Sequence, residues 1–194
     1  TTVVSTGSLG GAGGDASLDL NVATGTTQAI GTLTIAGADG GSAGADGDST
    51  SVPGAAGGSG GNASATIASD FTGNIVLNDG VAGATITAAG GAKGTATVTF
   101  DGGTVQTITG TIAADADGEG VIIFSGDSGD VTDIVTISGA VGTSAKKIGT
   151  ITSGVTTAQT NSAFTSDVFA TTITHGLDED WAGDTTITMD RSEE

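Results

Sequence analysis

The chain of 194 residues has no cysteine and no tyrosine, and only one proline, one tryptophan and one histidine. Without cysteine there is no disulfide framework and no thiol chemistry, so nothing marks a redox compartment. The near-absence of proline, with no three-residue glycine period, excludes a collagen triple helix. Positive charge is scarce as well. Three lysines and one arginine stand against 22 carboxylates, for a formal net charge of −18. Such a chain repels phosphate backbones and anionic membranes, so neither a nucleic-acid partner nor membrane insertion is expected. No apolar run approaches the roughly 20 residues of a membrane helix, and no signal-peptide pattern opens the chain. It begins Thr-Thr-Val-Val without an initiator methionine, which reads as a processed form or an excised fragment.

What fills the sequence is small. Glycine (36), threonine (35) and alanine (28) make up half of it. Glycine falls too often for helices to survive its cost of ~1 kcal/mol per residue, and the good helix formers are few. Strand patterns recur instead. Apolar and polar residues alternate in Ser17-Leu-Asp-Leu-Asn-Val22, Gly31-Thr-Leu-Thr-Ile35, Thr95-Ala-Thr-Val-Thr-Phe100, Val105-Gln-Thr-Ile-Thr109 and Asp133-Ile-Val-Thr-Ile-Ser138. They alternate again in Ile148-Gly-Thr-Ile-Thr152, Ala170-Thr-Thr-Ile-Thr174 and Thr185-Thr-Ile-Thr-Met189. Asn74-Ile-Val-Leu-Asn78 and Val121-Ile-Ile-Phe124 are continuous runs, as in strands covered on both faces. The pattern predicts an all-β chain of about a dozen short strands with Gly, Asp, Asn and Ser turns. The five phenylalanines, Phe71, Phe100, Phe124, Phe164 and Phe169, lie at or beside strand ends and read as stacked core fillers.

The sequence also repeats itself. Gly10-Gly-Ala-Gly-Gly-Asp-Ala-Ser-Leu-Asp-Leu20 matches Gly57-Gly-Ser-Gly-Gly-Asn-Ala-Ser-Ala-Thr-Ile67 at an offset of 47. Each is a glycine turn, a polar cap and a strand. The stretch from Ile108 to Gly126 resembles that from Ile137 to Gly154 at an offset near 29. Strand–turn units repeating over 20 to 50 residues predict a β-solenoid of parallel coils with Gly-rich turns. A jelly-roll or Greek-key sandwich is the alternative. Four segments follow: residues 1–35 with the first strands, a Gly/Asp/Ser-rich loop or insert over 36–62, a β-repeat core over 63–177, and an acidic end over 178–194. The insert reads either as a flexible loop or as an ordered stack in which glycines let backbones approach closely.

All four cations lie at or after Lys93, and the first 92 residues hold seven aspartates. Those aspartates need water, salt or divalent metal, and concentrated salt would screen them over a few ångströms. Calcium has two candidate sites. Asp115-Ala-Asp-Gly-Glu-Gly120 places Asp115, Asp117 and Glu119 at positions 1, 3 and 5 of an oxygen-ligand loop with glycine at 6. The match stops at position 12, which is Gly126, with Asp127 next to it. Asp15, and more loosely Asp46 and Asp48, lie in glycine–aspartate runs close to the nonapeptide of calcium-binding β-rolls. Asp127, Asp130 and Asp133 form a further acidic group, as do Asp178, Glu179, Asp180 and Asp184; without aromatic sugar platforms they read as surface charge. His175 has no nucleophile elbow to serve, since no Gly-x-Ser-x-Gly turn leads into a helix. No glycine turn opens a helix to cradle phosphate either. An enzyme is not expected.

Segments such as Ile108–Ser125 and Ser138–Thr152, with Phe-Ser-Gly, Gly-Ala-Val-Gly-Thr and Lys-Lys-Ile-Gly-Thr-Ile, resemble the β-strand-repeat surface proteins of Gram-negative bacteria. That group includes autotransporter passengers and large adhesins. More distantly the chain is similar to Gly/Thr-rich S-layer subunits that polymerise with calcium. The resemblance implies a secreted or surface-displayed β-rich protein with a structural or adhesive role. The expected function is a self-associating filament, surface array or adhesin stalk. A calcium-dependent adhesion module and a phage fibre or decoration protein are the alternatives.

Overall fold

A computed structural model of the chain describes residues 11–20, 27–41, 57–81, 92–101, 105–125, 134–153, 161–175 and 187–189. These residues are all-β. The strands are β1 Ala16–Leu20, β2 Gln28–Ala36, β3 Ala63–Ile67, β4 Phe71–Asn78, β5 Ala96–Asp101, β6 Gln106–Thr109 and β7 Ile112–Ala114. They continue with β8 Glu119–Ser125, β9 Ile134–Ile137, β10 Ile148–Ser153, β11 Asn161–Phe164, β12 Ala170–His175 and β13 Ile187–Met189. Every alternating run in the sequence overlaps one of them.

The strands form two sheets. One has the order β1-β3-β5-β8-β10-β12 and the other β13-β11-β9-β6-β4-β2, with β7 pairing β4 outside that path. Successive strands therefore mostly alternate between sheets, and the assigned ladders between described strands are parallel. Parallel neighbours cannot be joined by a tight hairpin, so each strand meets its partner only after the chain has visited the other sheet.

This corrects both architectural expectations. A Greek-key or jelly-roll sandwich is antiparallel, and among the described residues the one antiparallel contact outside the strands is the Ala38–Gly61 bridge. The expected β-solenoid is replaced by two parallel sheets. Its coils would recur at a near-constant length, whereas Thr97 pairs with Val121, Val121 with Thr150 and Thr150 with Thr172. Those steps are 24, 29 and 22 residues. The two sequence repeats nevertheless set real registers. Ile108 lies opposite Ile137, and Ile122 opposite Ile151, both at an offset of 29. Bonds from Ala16 N–H to Asn62 O and from Ala68 N–H to Leu20 O align β1 with β3 at an offset of 47.

The chain divides into two compact units, Thr1–Ser17 with Ala36–Ala63 and Asp79–Ala96, and Leu18–Ile35 with Ser64–Asn78 and Thr97–Glu194. The second holds a side-chain core. Inward residues of the first sheet line up as Ala65, Val98, Ile122 and Ile151, and those of the second include Phe71, Ile108 and Ile137; all are buried. Phe100 and Phe124 are register partners with ring centroids 5.5 Å apart. Phe124 meets Phe164 of the opposite sheet edge-on at 5.6 Å, a favoured aromatic geometry. Four of the five phenylalanines are thus buried, while Phe169 is half-buried. The continuous runs of β4 and β8 are not covered on both faces: Val76, Val121 and Ile123 are half-buried on the outward side.

The first unit is held differently. Its described residues form short segments around residues 11–16, 37–41, 58–63, 79–81 and 92–96, bonded through their backbones. Gly13 N–H donates to Ser59 O, Gly41 to Gly11, Gly58 to Gly41, Gly60 to Ala92 and Gly40 to Val81. The 37–41 segment thereby bonds three other segments, which a flat ladder strand, with two edges, does not do. Side chains would forbid this approach: a Cβ on Gly61 would strike the Gly14 carbonyl, and one on Gly94 the Gly61 carbonyl. Of the two readings of residues 36–62, the ordered stack describes 36–41 and 57–62; residues 42–56 lie outside the described residues.

Candidate functional site: carboxylate turns and open sheet edges

The acidic turns spend their oxygens on backbone. Asp15 Oδ1 accepts from Asn62 N–H at 2.7 Å, and Asn62 Oδ1 accepts from Thr95 N–H at 3.0 Å. Asp39 takes the N–H of Val81 at 3.0 Å and Asp79 that of Ala96 at 2.8 Å. In the second unit Asp70 takes Thr107 N–H at 2.8 Å, and Asn74 takes the N–H and hydroxyl of Thr111. Each Asx side chain thus satisfies a donor on a neighbouring pass of chain, and the bonds to the Asp carboxylates are charge-assisted and so the stronger ones. The polar cap after each repeated glycine turn signalled Asp15 and Asn62, and no such signal marked Asp39, Asp70, Asn74 or Asp79. The identity of their partners was hidden, because it depends on register.

The three residues of the best calcium candidate turn to separate partners. Asp115 Oδ2 accepts from Asn78 Nδ2 at 3.3 Å, and Asp117 Oδ1 from Lys147 N–H at 3.0 Å. Glu119 is buried and its Oε2 accepts from Ala116 N–H at 3.2 Å. Among the described residues no three His, Cys, Asp or Glu side chains gather as a metal group. Asp46, Asp48, Asp127, Asp130, Asp133, Asp178, Glu179, Asp180 and Asp184 lie outside the described residues. His175 ends β12 opposite Ser153, and its side chain lies outside them too.

The more distinctive surface is the rim of the first sheet. Among the described strands, β1 pairs only β3 and β12 pairs only β10, so each has one unpaired edge. The inward rank of this sheet runs Leu18, Ala65, Val98, Ile122, Ile151, Ile173. Its four inner members are at most 1% exposed, but Leu18 is 44% and Ile173 41% exposed. The apolar rank is therefore open at both ends. Edge strands are ordinarily blunted by charge, proline or a bulge, and β12, with the sequence Ala-Thr-Thr-Ile-Thr-His, carries no Lys, Arg, Asp, Glu or Pro.

No helix among the described residues is long and apolar enough to cross a membrane. No family model, curated protein or solved structure matches the chain.

Proposed function

We propose that this is a non-enzymatic structural protein of an extracellular or cell-surface assembly, joining copies of itself, or neighbouring repeats of a larger assembly, through strand edges. The observation that carries the reading is the inward rank exposed at both Leu18 and Ile173. In this reading the β12 edge of one copy meets the β1 edge of the next, which extends the parallel ladder and covers both residues. Strand addition of this kind draws affinity from main-chain hydrogen bonds and specificity from alternate side chains. A head-to-tail contact between two different edges propagates rather than closes, unless its rotation makes a ring. Backbone cohesion with few aromatics and small residues favours a load-bearing part over a ligand-binding one.

Sedimentation velocity and negative-stain microscopy, with calcium and then with excess chelator, test it. Rods or sheets growing with concentration in both conditions are expected. A compact monomer at every concentration in both would contradict the proposal. Assembly only with calcium would move the joint to the carboxylate turns and favour the calcium-dependent adhesion reading.

A further inference from the structure

The outer face of the first sheet carries a second regularity, independent of its edges. The bond from Ala63 N–H to Thr95 O places Ser64 beside Thr97 and Thr66 beside Thr99. From there the registers continue Thr97–Val121–Thr150–Thr172 and Thr99–Ile123–Thr152–Thr174. Ten outward positions on five adjacent strands thus form two straight ranks. Eight are Ser or Thr, two are β-branched aliphatic, and none is charged, in a chain with 26 charged side chains. Thr66, Thr97, Thr99, Thr150 and Thr152 are only half-exposed, packed side by side on the pleat.

Backbone geometry fixes the mesh of this array. Neighbours across strands stand ~4.8 Å apart, and alternate residues along a strand about 6.7 Å apart. Threonine is stiff at χ1, so each position presents a methyl and a hydroxyl in a restricted orientation. The array repeats along and across the strands, so a ligand that engages all of it must also repeat in two dimensions. A globular protein or a single glycan chain does not. A mineral face would call for charged side chains, and a crystalline polysaccharide for exposed aromatic platforms; this face has neither. Crystalline water has the required repeat, on lattice spacings close to those of the array. It can be met by hydroxyls that extend its hydrogen bonding and by methyls that fill the gaps between.

The geometry points to the outer face of β3-β5-β8-β10-β12 as a surface for ice, through the hydroxyls and methyls of Thr66, Thr97, Thr99, Thr150, Thr152 and Thr174. This activity does not depend on self-association. A monomer carries the whole array, while an assembly joined at β1 and β12 would lengthen it.

The test measures incorporation of the purified full chain into slowly growing ice, alongside inhibition of ice recrystallisation. The unmodified chain is expected to enter the ice and to keep crystals small. Thr150→Lys and Thr152→Lys, each placing a charge on the array, are expected to abolish both effects. Thr109→Lys, at an exposed position on the other sheet, is expected to leave both unchanged. Circular dichroism shows whether each variant folds, and Thr152→Ser, which removes only the methyl, gives a milder second variant expected to weaken both effects. Exclusion of the unmodified chain from ice would overturn the inference. So would equal loss in Thr109→Lys, or a face whose lysine variants dissociate a dimer while the unmodified chain stays out of the ice.

Discussion

The two compact units use the same small residues to opposite ends. In the second, alternation buries one apolar rank per sheet, and the described core consists of side chains: Phe100 on Phe124, Phe124 on Phe164, and the Ile and Val ranks beside them. In the first, glycine backbones bond to one another and to Ser59, Ala92 and Val81, with approaches at Gly13, Gly60, Gly61 and Gly94 where no Cβ would fit. One region excludes water with apolar side chains. The other satisfies nearly bare backbone, with Asp15, Asn62, Asp39 and Asp79 supplying acceptors for its remaining N–H groups. Glycine loses the most conformational freedom on ordering, so the first region should depend more on each bond and each close approach.

Substitutions can break this contrast from either side. The largest expected effect is Phe124→Ala, which empties the centre of the aromatic cluster and should cost roughly 3–5 kcal/mol. Its measure is chemical denaturation, with hydrogen exchange rising first in β5, β8 and β11. Gly61→Ala attacks the other region. Its Cβ meets backbone rather than a yielding side chain, so about 1–3 kcal/mol or more is expected, with the earliest exchange in residues 11–16 and 58–63. If Gly61→Ala is silent, the close glycine stack is not what orders that unit.

Two polar substitutions sharpen the comparison. Gln106 is buried, and its Nε2 donates to the carbonyls of Ile67 and Ser69. Gln106→Leu leaves those carbonyls without that donor and should cost about 1–3 kcal/mol, read as a lower denaturation midpoint. Asn62→Ala removes a similar side-chain-to-backbone bond at an exposed position. Its cost should fall at the low end of roughly 0.5–1.5 kcal/mol, visible mainly as faster exchange at the Thr95 amide. Equal costs for the two would mean that burial does not set the value of these bonds.

Much of the fold was legible because two of its causes are local. Alternation of Thr with Ile or Val marks strands, and the repeats at 47 and 29 residues turn out to be ladder registers, since repeating units stack on their own likenesses. The uneven steps of 24, 29 and 22 residues were not legible. Turn lengths there vary without changing the strand pattern, and this is why an architecture of regular coils was the wrong expectation. The partners of the carboxylates stayed hidden for a related reason. Asp115, Asp117 and Glu119 have the spacing of a calcium loop, but spacing does not reveal that Lys147 N–H and Asn78 will arrive from other passes of chain. The open rim at Ile173 was invisible too, because its strand reads like the buried ones beside it.

The central claim is that copies join at β12 and β1. A chain without cysteine allows a direct measurement of it. Leu18→Cys and Ile173→Cys are made separately, mixed and oxidised, and the cross-linked species are resolved by mass. If the ladder continues from one copy to the next, the two positions become adjacent in one rank at ~4.8 Å, within reach of a disulfide. The mixture should then give the Leu18→Cys–Ile173→Cys heterodimer in large excess over either homodimer. A mixture that stays monomeric, or that yields only homodimers in random proportion, would contradict the claim.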